Sequence, residues 1–227
     1  LAVLTADKKY NFLRNQATQI NYMQFCIYAR NFCRQYFGTE KVQVLDWGCG
    51  LGHNSVLLYD LGFRVCASDI IDCPPDQLPP LTIRPIDYIV LHHQSQLPFD
   101  DQSFDAVFSF GVLEHVPNEA ASLLEIHRIL RPGGLFFCFN LPYSYSWGQR
   151  FVHLRGHYYH DRLYKESYIK RILPQYGYNL LDLWHLMLFP KISINYGRFS
   201  PVMEHIDQLL INYTPLRYLA TSLNFTA

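Results

Sequence analysis

Val44-Leu45-Asp46-Trp47-Gly48-Cys49-Gly50-Leu51-Gly52-His53-Asn54 is the stretch whose reading decides the fold. A short apolar run stops at an acidic residue. Three glycines then alternate, and Val56, Leu57 and Leu58 open a new apolar segment. The order reads as a buried strand, a glycine turn and the start of a helix. Glycines serve where backbone must take a positive φ or let a ligand come close. The helix start after them offers unpaired N–H groups and a positive dipole end. The dinucleotide fingerprint G-x-G-x-x-G does not fit. Its third glycine would fall at His53 counting from Gly48, and at Ser55 counting from Gly50. The pattern present is D-x-G-x-G-x-G.

Outward from this turn, periodicity and punctuation predict the other elements. An amphipathic helix is expected over 17–37, with Gly38 as its stop. Strand 41–46 leads into the turn, and a helix over 53–61 ends at Gly62. Strand 63–68 ends at Asp69, 21 positions after Gly48. That is close to the ~20 at which an acid on the second strand accepts from both ribose hydroxyls of a nucleoside. The plain alternative is a solvent-facing loop acid. Pro74, Pro75, Pro79, Pro80 and Pro85 forbid an ordinary helix over 72–85. Strands are expected at 86–91, 104–110 and 135–140, with a helix over 118–130 between the last two. Beyond them come a helix over 166–176, a strand over 178–187, a helix over 199–212 and a last strand over 216–225.

The chain has 227 residues, enough for one α/β domain with a sizeable core. Lys plus Arg and Asp plus Glu are both 19, so the formal net charge is zero. A nucleic-acid partner is not expected, because such binding needs basic surface. The 17 tyrosines and 16 phenylalanines point either to an aromatic pocket or to an aromatic core. The six cysteines carry no C-x-x-C spacing and read as intracellular free thiols. No apolar run approaches the ~20 residues of a membrane span, and no signal-peptide pattern is present. A cytoplasmic protein is expected. The first residue is Leu1 rather than Met, which reads as a trimmed or processed N-terminus.

Four motifs in order carry a family resemblance. They are the glycine turn, Leu97-Pro98-Phe99 with Ser103-Phe104-Asp105, Gly111-Val112-Leu113-Glu114-His115-Val116, and Leu130-Arg131-Pro132-Gly133-Gly134. Over about residues 40–140 the chain resembles class I S-adenosylmethionine-dependent methyltransferases of the small-molecule, ubiquinone/menaquinone-biosynthesis type. The resemblance implies an α/β, Rossmann-like, doubly wound fold. Its seven-stranded sheet would be mostly parallel, with the last strand antiparallel and helices on both faces. One methyltransferase domain is implied: an N-terminal arm and helix (1–38), a cofactor-binding core (39–140), a substrate cap (141–165) and the C-terminal part of the sheet (166–227). The implied cofactor is S-adenosyl-L-methionine. Asp46 and backbone near Gly48 would hold its methionine ammonium, Asp69 its ribose, and Ile70 would pack on adenine. Cys49, Gly50, Gly52, Asn54, Phe110 and Gly111 complete the implied contact set. Members often carry Asp-Ala before Leu-Pro-Phe, where the Asp meets the adenine amino group. Here His93-Gln94 stands there, so Gln94 or Ser95 is the candidate adenine partner.

The implied reaction is displacement at an activated methyl group, to which the protein brings binding, orientation and electrostatics. The acceptor is expected to be a small apolar, aromatic or sugar-like molecule, methylated at oxygen or carbon. A protein or a lipid headgroup is the weaker alternative. An acceptor hydroxyl must lose a proton, and His115, just past the fourth strand, is the leading base, with His157 in the cap second. Packing or helix capping is the competing role for His115. Glu114 reads as a solvated or capping acid. His153 and His157 are spaced i,i+4 with His160-Asp161 nearby, but an aromatic polar loop places them toward substrate or solvent, and no metal is expected. A nicotinamide oxidoreductase and a cofactor-binding scaffold without turnover remain as alternatives. The oligomeric state is left open.

Overall fold

Near-continuous apolar runs become the central strands, because helices cover both of their faces. The computed structural model describes residues 16–39, 41–70, 81, 84–93, 95–154, 160–189 and 199–227. Helix α1 (Gln16–Phe37) precedes β1 (Gln43–Trp47), α2 (His53–Asp60), β2 (Arg64–Asp69), β3 (Asp87–Val90) and β4 (Phe104–Phe110). Helix α3 (Glu119–Ile129), β5 (Leu130–Pro142), α4 (Trp147–Leu154), α5 (Glu166–Gln175) and β6 (Asp182–Leu186) follow. Helix α6 (Ser200–Tyr213), a 3₁₀ helix (Pro215–Leu219) and β7 (Ser222–Thr226) complete the order.

The seven strands form one sheet in the order β3-β2-β1-β4-β5-β7-β6. Strands β3, β2, β1, β4 and β5 pair in parallel, and β7 runs antiparallel to both β5 and β6. This is the expected doubly wound sheet. The chain works outward from β1 in one direction, then returns to lay β4 on its other side. That reversal makes β1/β4 the topological switch point, where ligands bind beyond the carboxyl ends of strands.

Alternation along the strands splits the core in two. On one face, Phe25 of α1 and Val56 and Leu58 of α2 meet Phe108, Phe137 and Phe139. On the other, Leu123 and Ile126 of α3 and Ile169 and Leu173 of α5 meet Val107, Phe136 and Phe225. The Phe108 and Phe137 rings stack at 4.9 Å, and Phe25 stacks on Phe139 at 4.5 Å. Much of the phenylalanine content therefore lies in the core.

Some boundaries differ from the sequence reading, each for a local reason. Residues 131–134 loop out of β5: Phe104 pairs with Leu130, but Ala106 pairs with Leu135. The expected last strand over 216–225 is shorter. Pro215 opens a 3₁₀ turn whose first amide, on Leu216, is capped by the Thr214 hydroxyl, so pairing begins only at Ser222. Strand β6 starts later than expected because Tyr178 closes the end of α5. Its N–H donates to Leu173 O and its hydroxyl to Leu123 O. The N-terminal arm and most of the proline-rich stretch lie outside the described residues. Among the described residues no helix is long and apolar enough to cross a membrane.

Candidate active site

The glycine turn is tied to the end of β2. Gly48 and Cys49 N–H both donate to Ser68 O, at 2.8 and 3.0 Å. Gly50 N–H donates to Asp69 Oδ2 at 2.7 Å. The turn is also tightly enclosed. Gly48 has φ 71°, and a Cβ there would stand 2.5 Å from the Val112 side chain. Gly52 has φ 77°, and its Cβ would stand 2.4 Å from Leu81. Positive φ and close approach at the same positions explain why they are glycine.

A cavity of about 220 Å³ opens beyond the carboxyl ends of β1, β2, β3 and β4. Of the residues expected at a cofactor or acceptor, Gly48, Asp69, Ile70, Gly111 and His115 line it. Trp47, Leu91, Val112 and Val116 line it too and were not singled out from sequence. They are the residues at strand ends and in the loop after β4, so the predicted strand limits were the signal that could have found them. A larger cavity of about 560 Å³, between Gln102, Arg131 to Gly134 and Gly177, sits at the opposite end of the strands, by the amino ends of β4 and β5. It lies away from the switch point, so the smaller cavity is the candidate site.

The other expected residues stand elsewhere. Asp46 lies buried behind the turn, where its Oδ2 accepts from the Ser55 hydroxyl at 2.6 Å. Burial pushes its carboxyl up to about 7, against the pull of the Ser55 bond and with a further push from the Asp69 charge. Its Oδ1 has no hydrogen-bond partner among the described residues. Cys49 is buried, and burial raises its thiol well above the ordinary value, which leaves it a protonated, poor nucleophile. Asn54 is buried in the first turn of α2. Phe110 turns its ring among Tyr22, Phe25 and Phe139 and does not line the cavity. Ser95 is half-buried and also off the cavity wall. Gln94 and His157 lie outside the described residues.

One reading is corrected. Glu114 is not solvated: it is 2% exposed. Burial pushes its carboxyl up to about 7, while its own backbone N–H, His115 and Arg162 pull it down. Its Oε1 faces two imidazoles at 3.8 Å, through His115 Nε2 and His160 Nδ1. His115 Nδ1 lies 3.2 Å from Asp161 Oδ2, and the His115 and His160 rings stack at 5.8 Å. The segment after residue 159 is clasped to the loop after β4. Arg162 donates to Leu113 O and Val116 O, and the Tyr164 hydroxyl donates to Leu113 O. Thus residues far apart in sequence meet beside the cavity.

This strand order, with its enclosed glycine turn and its cavity at the β1/β4 switch point, defines a Rossmann-like class I methyltransferase fold. Residues 45–138, which run from β1 into β5 and include the glycine turn and the loop after β4, match the family model described as a methyltransferase domain. It is 29% identical over 107 residues to a sterol 4-C-methyltransferase of Caenorhabditis elegans, covering 45% of this chain and 32% of that protein. It is 36% identical over 97 residues to a 2-methyl-6-phytyl-1,4-hydroquinone methyltransferase of a Synechocystis species, covering 40% of this chain and 30% of that one. These matches span about a third of the length of the two curated relatives. In fold the chain is similar to the Burkholderia thailandensis 1,6-didemethyltoxoflavin-N1-methyltransferase, which was crystallised with S-adenosylhomocysteine. The TM-score is 0.59 at 20% identity, over 89% of this chain and 77% of that one.

Proposed function

We propose that the chain transfers the methyl group of S-adenosylmethionine to oxygen or carbon of a small-molecule acceptor. The observation that carries this reading is the cavity in which the backbone of Gly48, the carboxylate of Asp69 and the imidazole of His115 converge at the switch point. In this reading Asp69 accepts from the ribose hydroxyls and Ile70 covers adenine, with Gln94 or Ser95 meeting the adenine edge. The buried Asp46 charge, behind the turn, favours the methionine ammonium through the field it sets up.

The step is an in-line displacement. The acceptor's electron pair forms the new bond to the methyl carbon, and the sulfur–carbon bond breaks with its pair kept on sulfur. S-adenosylhomocysteine leaves as a neutral thioether, and the acceptor's proton passes to solvent. Holding the three atoms in line supplies much of the rate. His115 assists loss of the proton from a hydroxyl acceptor, with Asp161 fixing its ring. The zero formal charge supports a small acceptor over nucleic acid. The free cysteines among the described residues are all buried, which supports a reducing, cytoplasmic setting.

Titration calorimetry with S-adenosylmethionine, S-adenosylhomocysteine and the nicotinamide cofactors tests the reading. The expected result is binding of the two sulfur compounds alone. Binding of a nicotinamide alone, or of nothing, would overturn it. Binding without methylation across a screen of hydroxylated aromatics and sugars would turn the chain into a cofactor-binding scaffold.

A further inference from the structure

We infer that Glu114, His115 and His160 form a binding site for one divalent transition-metal ion beside the methyl-donor cavity. Their ligand atoms lie within 4.8 Å of one another. Glu114 Oε1 stands 3.8 Å from both His115 Nε2 and His160 Nδ1. That is too long for a hydrogen bond. It is close to the roughly 3.0–3.5 Å that separates two ligand atoms sharing an ion at about 2.1 Å from each. Side-chain rotations that draw the three atoms together from within 4.8 Å, by about an ångström or less, close the site.

Two independent features point to an ion. The first is the tautomer of His115. A carboxylate on Nδ1 holds the proton there and leaves the Nε2 lone pair for a ligand, and Asp161 Oδ2 takes that place at 3.2 Å. Carboxylate–histidine–metal relays are built this way. The second is Glu114 itself. Its side chain is 2% exposed and its Oε2 has no hydrogen-bond partner among the described residues. Imidazoles too far away to hydrogen-bond leave that buried carboxylate only partly compensated, and a divalent ion held between them compensates it directly. Two imidazoles and one carboxylate suit manganese, iron, cobalt or zinc better than magnesium or calcium, which prefer oxygen. Three protein ligands leave positions open for substrate.

The site stands without the methyltransferase reading, but its chemical use rests on it. His115 also lines the cavity, so the ion sits beside the reacting groups. A hydroxyl, catechol or enol oxygen of the acceptor drawn to the ion gives up its proton more readily. The oxygen then attacks the methyl carbon, the proton goes to solvent and the sulfur keeps the broken bond's electrons. The help that His115 gives to proton loss is then the help of a ligand.

The test uses the untagged chain, stripped with chelator and titrated with cobalt chloride and zinc chloride. Calorimetry and the visible cobalt absorption are the readouts. One-to-one binding is expected, with no comparable binding of magnesium. His160→Ala and Glu114→Gln should each weaken it at least tenfold, and Asp161→Asn by about tenfold. All three should keep S-adenosylmethionine affinity, measured on the metal-free proteins, which also checks their folding. Absence of saturable cobalt or zinc binding overturns the proposal, as does binding unchanged in His160→Ala. Either result leaves the cofactor reading intact. Loss of cofactor binding by the metal-free parent would sink that reading and not this one.

Discussion

The carboxylate of Asp69 does two jobs that different substitutions separate. It fastens the turn through Gly50 N–H, and in the proposed complex it accepts from ribose. Asp69→Ala removes charge-assisted hydrogen bonds worth about 1.5–3 kcal/mol each. The affinity for S-adenosylmethionine should fall at least tenfold by calorimetry. An unchanged affinity would place the ribose elsewhere. The glycines before it offer a graded comparison. A Cβ at Gly50 meets nothing within 4 Å, so Gly50→Ala is charged only for φ 55°. That costs about 1–2 kcal/mol. At Gly48 the same strain is joined by a Cβ 2.5 Å from Val112, which lines the cavity. Gly48→Ala should therefore cost more stability than Gly50→Ala in urea unfolding, and should displace a wall of the site. Equal costs in the two variants would mean that Val112 yields freely. The alternating glycines were legible in sequence for this reason. At Gly48 and Gly52 only glycine tolerates positive φ and close approach at once, and at Gly50 the positive φ alone favours it.

At the scale of elements, the motifs that carried the resemblance prove to be clamps. Arg128 of α3 reaches back over the Leu97-Pro98-Phe99 segment, donating to Leu97 O, Phe99 O and Asp101 Oδ1. Glu125 accepts from Leu97 N–H. Asp105 holds both Gln43 N–H of β1 and the Arg131 guanidinium, so the segments before β4 and β5 are pinned to their neighbours. Such local patterns are legible in sequence, and so were the strands that sit between two helical layers. The meeting of Glu114 with His160 was not, because it depends on how 46 residues of chain return to the loop after β4. No local pattern encodes that return, and Glu114 therefore looked like a solvated acid. Helix α3, which anchors these clamps, begins at Asn118, whose side chain accepts from Ala121 N–H at 3.1 Å. Asn118→Ala should cost about 1 kcal/mol, read as a lower urea midpoint at an unchanged slope. A loss within error would mean that water replaces this cap.

Across the whole molecule, two of the buried carboxylates among the described residues, Asp46 and Glu114, are raised to about 7 by burial. Their ordinary values, 3.8 and 4.5, apply in the unfolded chain. Between those values and about 7 the folded state binds more protons than the unfolded state, so stability falls as pH rises. The contribution of these groups is fully present below about pH 4 and fully lost above about pH 7. A scan of the ligand-free, chelated chain from pH 5 to 8 should therefore show a declining melting temperature. Asp46→Asn keeps an acceptor for Ser55 but has no charge to bury. It should flatten part of the decline and leave the variant more stable than its parent at pH 8. Cations that bind only the folded state act in the opposite sense. S-adenosylmethionine, through its ammonium and sulfonium, should raise the melting temperature more at pH 8 than at pH 5. A divalent ion at Glu114 should add to that gain, because the two sites neutralise different carboxylates. Additive gains at pH 8, each shrinking toward pH 5, are the expected signature. A melting temperature that is flat across the scan would mean that neither carboxylate is held protonated in the fold. Gains from the two ligands that fail to add would mean that they compete for one site.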